Sequence, residues 1–263
     1  MVAYNSFAVL GAGSLGSFVV NELLKFKVSV KVLTRDDSKP AFATFKKNGA
    51  TIVKVDYSKE SELQKALSDV EVVVSVVSQS ALAAQNEIAK IAKAAGVQLF
   101  VPAEYGIYVT EGFTHHKKVV HDTLKELDLP YTVFYTGFFA EYHGFIGFDY
   151  ANARIRVVGS GDVPFSVTAR PDIARFAKIP IEGDRKTHHE VAVIAEKFGK
   201  KFELEYVDLD ENRKNFNTDF VAFFTTVLAD GNAVSGPAEA VEAAIQKFFP
   251  EWNPSPIDEF ITA

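Results

Sequence analysis

The sequence predicts an α/β protein built on a doubly wound parallel sheet, followed by a smaller α+β lobe. Three observations carry that expectation. Short apolar runs alternate with amphipathic stretches through the first half, the pattern of βαβ units joined by right-handed crossovers. The first run opens directly onto Gly11-Ala12-Gly13-Ser14-Leu15-Gly16. The run from Val70 to Val77 is β-branched apart from Glu71 and Ser75, as suits a parallel strand covered on both faces.

The elements follow in order. Phe7 to Leu10 is too short for a helix and reads as a strand, and Ser17 to Phe26 has helical spacing, with Phe18, Val19, Leu23 and Leu24 on one face. Val28 to Thr34 alternates as a strand, Ala41 to Asn48 is a helix ended by Gly49, and Thr51 to Val55 is a strand. Glu60 to Leu67 is a helix, Val70 to Val77 a strand, Ala81 to Ala95 a long helix closed by Gly96, and Gln98 to Val101 a strand. Thr114 to Leu127 is a helix with Pro130 at its exit, and Tyr131 to Tyr135 reads as another strand.

The second half is less regular. Ala153 to Val158 and Val163 to Val167 read as strands around the turn Gly159-Ser160-Gly161-Asp162. Pro171 suits a first helical turn before Asp172 to Phe176. Thr187 to Phe198 is a helix, with Thr187 and Glu190 spaced as a capping box. Phe202 to Val207 is a strand, and Asp219 to Leu228 and Ala238 to Phe249 are helices. Asp208 to Glu211 reads as a solvated edge. Residues 1–150 are expected to form a dinucleotide-binding core and residues 151–263 a smaller lobe interwoven with it.

Composition narrows the chemistry. The 263 residues include no cysteine, which excludes a disulfide framework, a thiol nucleophile, an iron–sulfur cluster and a thiolate zinc site. A formal charge of −6 argues against the broad basic surface that holds nucleic acid. His188 and His189 are adjacent and do not face one ligand, so no metal site is expected. The apolar runs fall short of the roughly 20 residues that span a bilayer. Met1 to Ser6 lacks the basic region of a signal peptide, so the expectation is a soluble cytoplasmic protein. Of the 23 phenylalanines most are expected in the core, while Phe138, Phe139, Phe145 and Phe148 form a cluster able to floor an aromatic-substrate pocket.

The glycine sequence fits G-x-G-x-x-G between a strand and a helix, the Rossmann-type arrangement. Gly11 suits the tight turn, Gly13 lets backbone approach a pyrophosphate, and Gly16 lets helix and strand pack closely. Ser14 and Leu15 place their N–H groups at the helix start, where an anion is favoured. An NAD site places Asp or Glu at the end of the second strand, about 20 residues further on, to hold the ribose 2′-hydroxyl. Here Leu33 and Thr34 lead into Arg35, whose planar fork suits a 2′-phosphate, with Lys46 as a second cation. NADP is therefore favoured over NAD. Asp36 and Asp37 stay open as ribose ligands, should the strand end later.

A proton-transfer group is less obvious. The Tyr-x-x-x-Lys pair of common short-chain dehydrogenases is absent, since Val109 and Gly112 stand four positions after Tyr105 and Tyr108. The helix from Thr114 offers His115, His116, Lys117, Lys118 and His121, just after the strand exit Pro102 to Gly106. In open α/β sheets ligands bind beyond the carboxyl ends of strands, and a lysine there can serve acid–base work. A solvated helix face is the alternative reading of the same run.

Phe100-Val101-Pro102-Ala103-Glu104-Tyr105-Gly106 resembles the F-V-P-S-E-F-G signature of the NmrA-like, isoflavone-reductase-like group of atypical short-chain dehydrogenases. That group includes phenylcoumaran benzylic ether and pinoresinol–lariciresinol reductases. The resemblance extends over the glycine loop, Arg35, Ser75 to Gln79, Gln85 to Gly96, Leu129 to Thr132, Thr136 to Phe139 and Trp252-Asn253-Pro254. It implies an NADPH-dependent reductase of a small aromatic or conjugated substrate, acting as a monomer or homodimer. It also implies that the lysine twelve positions before the aliphatic residue of the I-P-Y-T segment is the general acid/base. Counted back from Leu129 this is Lys117, with Lys118 left open as its neighbour. The resemblance places Ser78 and Gln79 near the nicotinamide ribose, and Gly137, Phe138 and Phe139 along the nicotinamide and substrate pocket. Asp56 falls beside the adenine by the same resemblance, with a plain strand-end carboxylate as the alternative. Some NmrA-like proteins bind dinucleotides without catalysis and control a protein partner, but these usually lack the lysine. Two departures stand out. Ala103 replaces the signature serine, and the chain is shorter than members of the group. The shortening falls after Phe176, where only Ala177-Lys178-Ile179-Pro180-Ile181 precedes Glu182, and it trims the expected substrate lobe.

Overall fold

The computed structural model describes residues 4–109, 111–175, 183–248, 250–251 and 253–261. The chain divides into two compact units, one of residues 1–104 and 116–133, the other of residues 105–115 and 134–263. This partition differs from the expected change at residue 150. The chain leaves the first unit after the fifth strand, returns for one helix, and leaves again. The stretch after Phe176, Phe249 and Trp252 lie outside the described residues.

The first unit is a sheet flanked by helices. Its strands are β1 (Ser6–Leu10), β2 (Ser29–Thr34), β3 (Thr51–Lys54), β4 (Val72–Ser75) and β5 (Leu99–Val101), and its helices α1 (Ser14–Lys25), α2 (Ala41–Lys47), α3 (Glu60–Leu67), α4 (Gln85–Ala94) and α5 (His115–Glu126). The strands pair in parallel in the order β3-β2-β1-β4-β5, with Leu10 opposite both Leu33 and Ser75. Every residue of β4 is buried, as its run of valines requires. The helices present apolar residues at helical spacing, such as Ile88 and Ala92 of α4 and Val120 and Leu124 of α5, to a core that includes Leu10 and Phe100. The long helix expected over 81–95 begins as a 3₁₀ segment, Gln79–Ala84, before α4.

The strand expected at Tyr131 to Tyr135 does not form. Only isolated bridges, Phe100 to Tyr131 and Gly106 to Tyr135, occur there. Phe100 N–H donates to the Pro130 carbonyl at 2.8 Å and Thr132 N–H to the Phe100 carbonyl at 3.2 Å. Pro102 then ends β5 as a partner, because proline brings no N–H to continue a ladder.

The second unit holds two small sheets. One joins β6 (Phe138–Phe139), β9 (Phe165–Thr168) and β10 (Asp184–Lys186), and the other β7 (Phe148–Asp149), β8 (Arg154–Val158) and β11 (Glu203–Val207). The strands on either side of the turn Gly159 to Asp162 therefore enter different sheets and do not pair with each other. Helices α6 (Arg170–Ala174), α7 (His188–Lys197), α8 (Leu209–Arg213), α9 (Phe220–Ala229), α10 (Ala238–Phe248) and α11 (Asp258–Ile261) complete it. Phe148, Ile155, Phe165, Val191 and Phe223 lie in its core. The expected capping box is made in full: Thr187 Oγ1 accepts from Glu190 N–H at 3.2 Å, and Glu190 Oε2 accepts from Thr187 N–H at 2.8 Å.

Asp208 to Glu211, expected as a plain solvated edge, is the start of a helix. Asp208 caps α8 by accepting from the N–H groups of Asp210 and Glu211. Buried Asn212 then donates to the Ala222 carbonyl and to the hydroxyls of Thr225 and Thr226, at 2.8–3.0 Å, which ties α8 to α9. The charges of Asp208, Asp210 and Glu211 face water, and the amide of Asn212, the next residue, anchors the helix.

Two stability predictions follow from this packing. Thr187→Ala removes a cap and is expected to cost about 1 kcal/mol, read as a lower denaturation midpoint. His188 is fully buried and its Nε2 donates to the Ile146 carbonyl at 2.8 Å. Burial holds its imidazole below the ordinary value of 6.5. The unfolded chain then binds the proton more tightly, so stability is full above pH 6.5 and is lost as pH falls below it. The fall in thermal midpoint between pH 7 and pH 5 should be smaller in His188→Gln, which keeps a donor and takes up no proton.

Candidate nucleotide and proton-transfer site

The carboxyl ends of the parallel strands lie on one edge of the first unit's sheet, and Gly11 to Gly16, Arg35, Asp56, Ser78, Gln79 and Glu104 all follow strand ends there. After β1 the chain turns at Gly11, with φ +89° and its N–H on the Leu33 carbonyl at 3.3 Å. That conformation is strained for any residue with a side chain. A Cβ on Gly16 would sit 2.0 Å from the Gly11 carbonyl oxygen, so this glycine is required by the turn itself. Gly13 differs: a Cβ there would meet nothing within 4 Å. It is the N-cap of α1, which has no side-chain cap and no acidic residue in its first turn. The N–H groups of this helix end thus have no side-chain cap, and the space beside Gly13 is open at a positive dipole end, which fits a pyrophosphate.

The end of β2 presents Arg35, exposed and in no hydrogen bond or ion pair among the described residues. The carboxylates beside it are engaged. Asp36 accepts from Ser38 N–H at 3.0 Å and Ser38 Oγ at 2.6 Å, bonds that hold it below the usual carboxylate range. Asp37 pairs with Lys54 at 3.4 Å. Beneath the strand end, Tyr57 donates to the Leu33 carbonyl at 2.8 Å, and burial pushes its phenol up to about 12. Lys46 is exposed on the last turn of α2. Asp56 is exposed too, its carboxylate held low by the N–H and hydroxyl of Ser58, with a smaller contribution from the charge of Arg35. Ser78 and Gln79 follow β4 and are exposed, with the Ser78 hydroxyl 3.0 Å from that of Ser80.

After β5, a short exit carries Glu104 into the interior, where it is 1% exposed. Buried Gln85 holds this exit by accepting from Ala103 N–H at 2.8 Å. Lys117, on the inner face of α5, donates to the Glu104 main-chain carbonyl at 3.3 Å, and its Nζ is 3.6 Å from Glu104 Oε1. His121, one turn on, brings Nε2 to 3.3 Å from Glu104 Oε2 and stacks on Tyr131. Burial lowers the pKa of Lys117, and the adjoining Glu104 opposes that shift. Lys118 points the other way, half exposed and paired with Asp122. In the sequence His121 stands out only as one of the basic residues of this helix, and Glu104 only as part of a signature. The spacing of 117 and 121 on one helix face, behind a strand exit that carries a carboxylate, was the available signal.

Gly137, Phe138 and Phe139 belong to the second unit. Gly137 has φ +68°, and a Cβ there would fall 2.2 Å from the Ser166 carbonyl oxygen, so the packing of that unit already requires a glycine. Phe138 and Phe148 spend their rings in its core, and Phe138 packs edge-on against Phe165 and Phe224. Phe139 and Phe145 are the members of the cluster with open surface.

A parallel sheet in this order, with a glycine turn and an uncapped helix at the switch point between β1 and β4, defines a Rossmann-type α/β fold. The sequence model of the NmrA-like family matches residues 5–156, more than half of the chain, and the chain belongs to that family. It is 30% identical over 210 residues to asnovolin J 5′,6′-dehydrogenase of Aspergillus novofumigatus, covering 72% of this chain and 64% of that longer protein. It is 26% identical over 297 residues to an isoflavone reductase homolog of Solanum tuberosum, covering 95% of each. The structure of leucoanthocyanidin reductase from Vitis vinifera in binary complex with NADPH superposes with a TM-score of 0.84 at 19% identity, covering 97% of both chains, a likeness of fold.

The glycine geometry separates two substitutions. Gly16→Ala forces a methyl onto a backbone oxygen and is expected to cost roughly 1–3 kcal/mol of stability. Gly13→Ala is expected to change stability by less than about 0.5 kcal/mol. Paired denaturation curves check both.

Proposed function

We propose that this chain is an NADPH-dependent reductase of a small aromatic or conjugated substrate, with Lys117 as its general acid/base. The observation that carries the reading is a buried lysine, its proton loosened by burial, at the same sheet edge as an uncapped helix end. The relatives, a dehydrogenase and an isoflavone reductase homolog, support it, as does the NADPH held by the structural neighbour.

A bound NADPH supplies hydride. The residues of the chain supply the rest. The N–H groups at the start of α1 take the pyrophosphate, with Gly13 leaving room for it. Arg35 takes the 2′-phosphate through its guanidinium fork with Lys46 as a second cation, while Asp36 and Asp37 are held by Ser38 and Lys54. Asp56 lies toward the adenine, and Ser78 and Gln79 toward the nicotinamide ribose. Lys117 Nζ holds the proton that passes to or from the substrate oxygen. Burial brings its affinity toward the range in which the ammonium gives a proton and the amine takes one.

Two measurements test this. The wild type should bind NADPH at least about ten-fold more tightly than NADH, and Arg35→Gln should lose that preference, since a charged hydrogen bond is worth about 1.5–3 kcal/mol. Equal or tighter NADH binding by the wild type would remove the NADP assignment. With a panel of quinones, enones and aryl ethers, Lys117→Met should lower kcat by about 10²–10⁴ while NADPH binding stays within a few-fold. Undiminished turnover in that variant would take Lys117 out of the mechanism.

A further inference from the structure

We propose that Glu104 and His121 are positioning residues for Lys117: Glu104 is the counter-ion that retains the lysine's proton, and His121 draws that carboxylate's charge away from it. The inference rests on the proposed role of Lys117 for its catalytic meaning, but the interaction itself belongs to the free protein.

The geometry separates position from charge. Lys117 is held in place by the main-chain carbonyl of Glu104, at 3.3 Å, whatever that residue's side chain carries. The carboxylate lies further off, and its two oxygens face different partners: Oε1 lies 3.6 Å from Lys117 Nζ and Oε2 lies 3.3 Å from His121 Nε2. Neither oxygen accepts a hydrogen bond from the backbone or from a neutral side chain among the described residues. The charge of Glu104 is therefore balanced only at ion-pair distance, in an interior where such interactions are weakly screened.

His121 is the least buried of the three, 12% exposed against 9% for Lys117 and 1% for Glu104. The groups around it are few. Tyr131 stacks on its ring from the segment after α5, and Glu104 faces it from the exit of β5. On α5 itself Lys117 and Lys125 stand one turn to either side, and Asp122 is bonded to Lys118. Glu104 is thus the carboxylate that both Lys117 and His121 share. What the imidazole takes, the lysine loses.

The test is a pH titration of Lys117 in the whole protein, labelled with ¹³C at lysine Cε. The Lys117 signal is the one missing from Lys117→Arg. Glu104→Gln is expected to leave the lysine in place and weaken its proton affinity at least about ten-fold, the scale of an opposite charge at this separation. His121→Phe keeps the stack on Tyr131 and removes both ring nitrogens, so it should strengthen that affinity by about three-fold or more. A Glu104→Gln titration that overlays the wild type would overturn the proposal. So would a His121→Phe shift in the direction of Glu104→Gln. If Glu104→Gln loses its cooperative unfolding transition, His121→Phe carries the test alone. Undiminished turnover in Lys117→Met would remove the catalytic reading and leave the titration result standing.

Discussion

Between position 16 and the Gly11 carbonyl oxygen there is no room for a carbon atom. A Cβ would lie 2.0 Å from that oxygen, and the geometry around it depends on the gap staying empty. Because α1 can start that close to the turn, its first N–H groups point out of the sheet edge instead of into it. Because β1 pairs with β2 on one side and β4 on the other, the helix end also lies where the crossovers change direction. One missing side chain thus places a positive dipole end at the crevice of the sheet.

The second constraint is burial of charge at the exit of β5. Two effects act on Lys117 in opposite directions. Loss of water favours the neutral amine, and the nearby Glu104 favours the ammonium. Burial is the larger, because the pair stands at 3.6 Å and the carboxylate is divided between two partners. A closer, bidentate contact would have locked the proton on the lysine. A fully apolar surround would have stripped it away. The two effects oppose each other at Lys117, and the balance lies toward easier loss of its proton.

Much of the first unit was legible because its signals are local and long enough to repeat. The β-branched run at β4 and the glycine turn each declare themselves within a few residues, as does the capping box at Thr187 in the second unit. The failures have physical causes of another kind. Strands of two or three residues, such as β6, β7 and β10, are too short to show a period. The turn from Gly159 to Asp162 declares a change of direction but not which sheet each flanking strand joins, and β8 and β9 part company there. Tyr131 to Tyr135 has the composition of a strand, but its partner is cut short by Pro102, nearly thirty positions earlier. In the site, Lys117 was reached through family resemblance. Glu104 and His121 were not reached, because a shared carboxylate is a property of three-dimensional distance.

The overall charge of −6 and the proposed anionic ligand act on different length scales. At physiological ionic strength the field of exposed charges decays over about 8 Å, so distant carboxylates contribute little at the crevice. What matters there is local. The start of α1 has no acidic residue in its first turn, and Arg35 stands exposed beside carboxylates already held by Ser38 and Lys54. If Asp36 or Asp37 were unengaged, either would offer the oxygen acceptor that a ribose hydroxyl seeks and would repel a phosphate. Held as they are, Asp36 accepts from Ser38 and Asp37 pairs with Lys54, and the guanidinium at the strand end makes no hydrogen bond or ion pair of its own among the described residues. Under the proposed function, selectivity for a phosphorylated ribose rests on how the neighbouring acids are occupied as much as on the arginine itself.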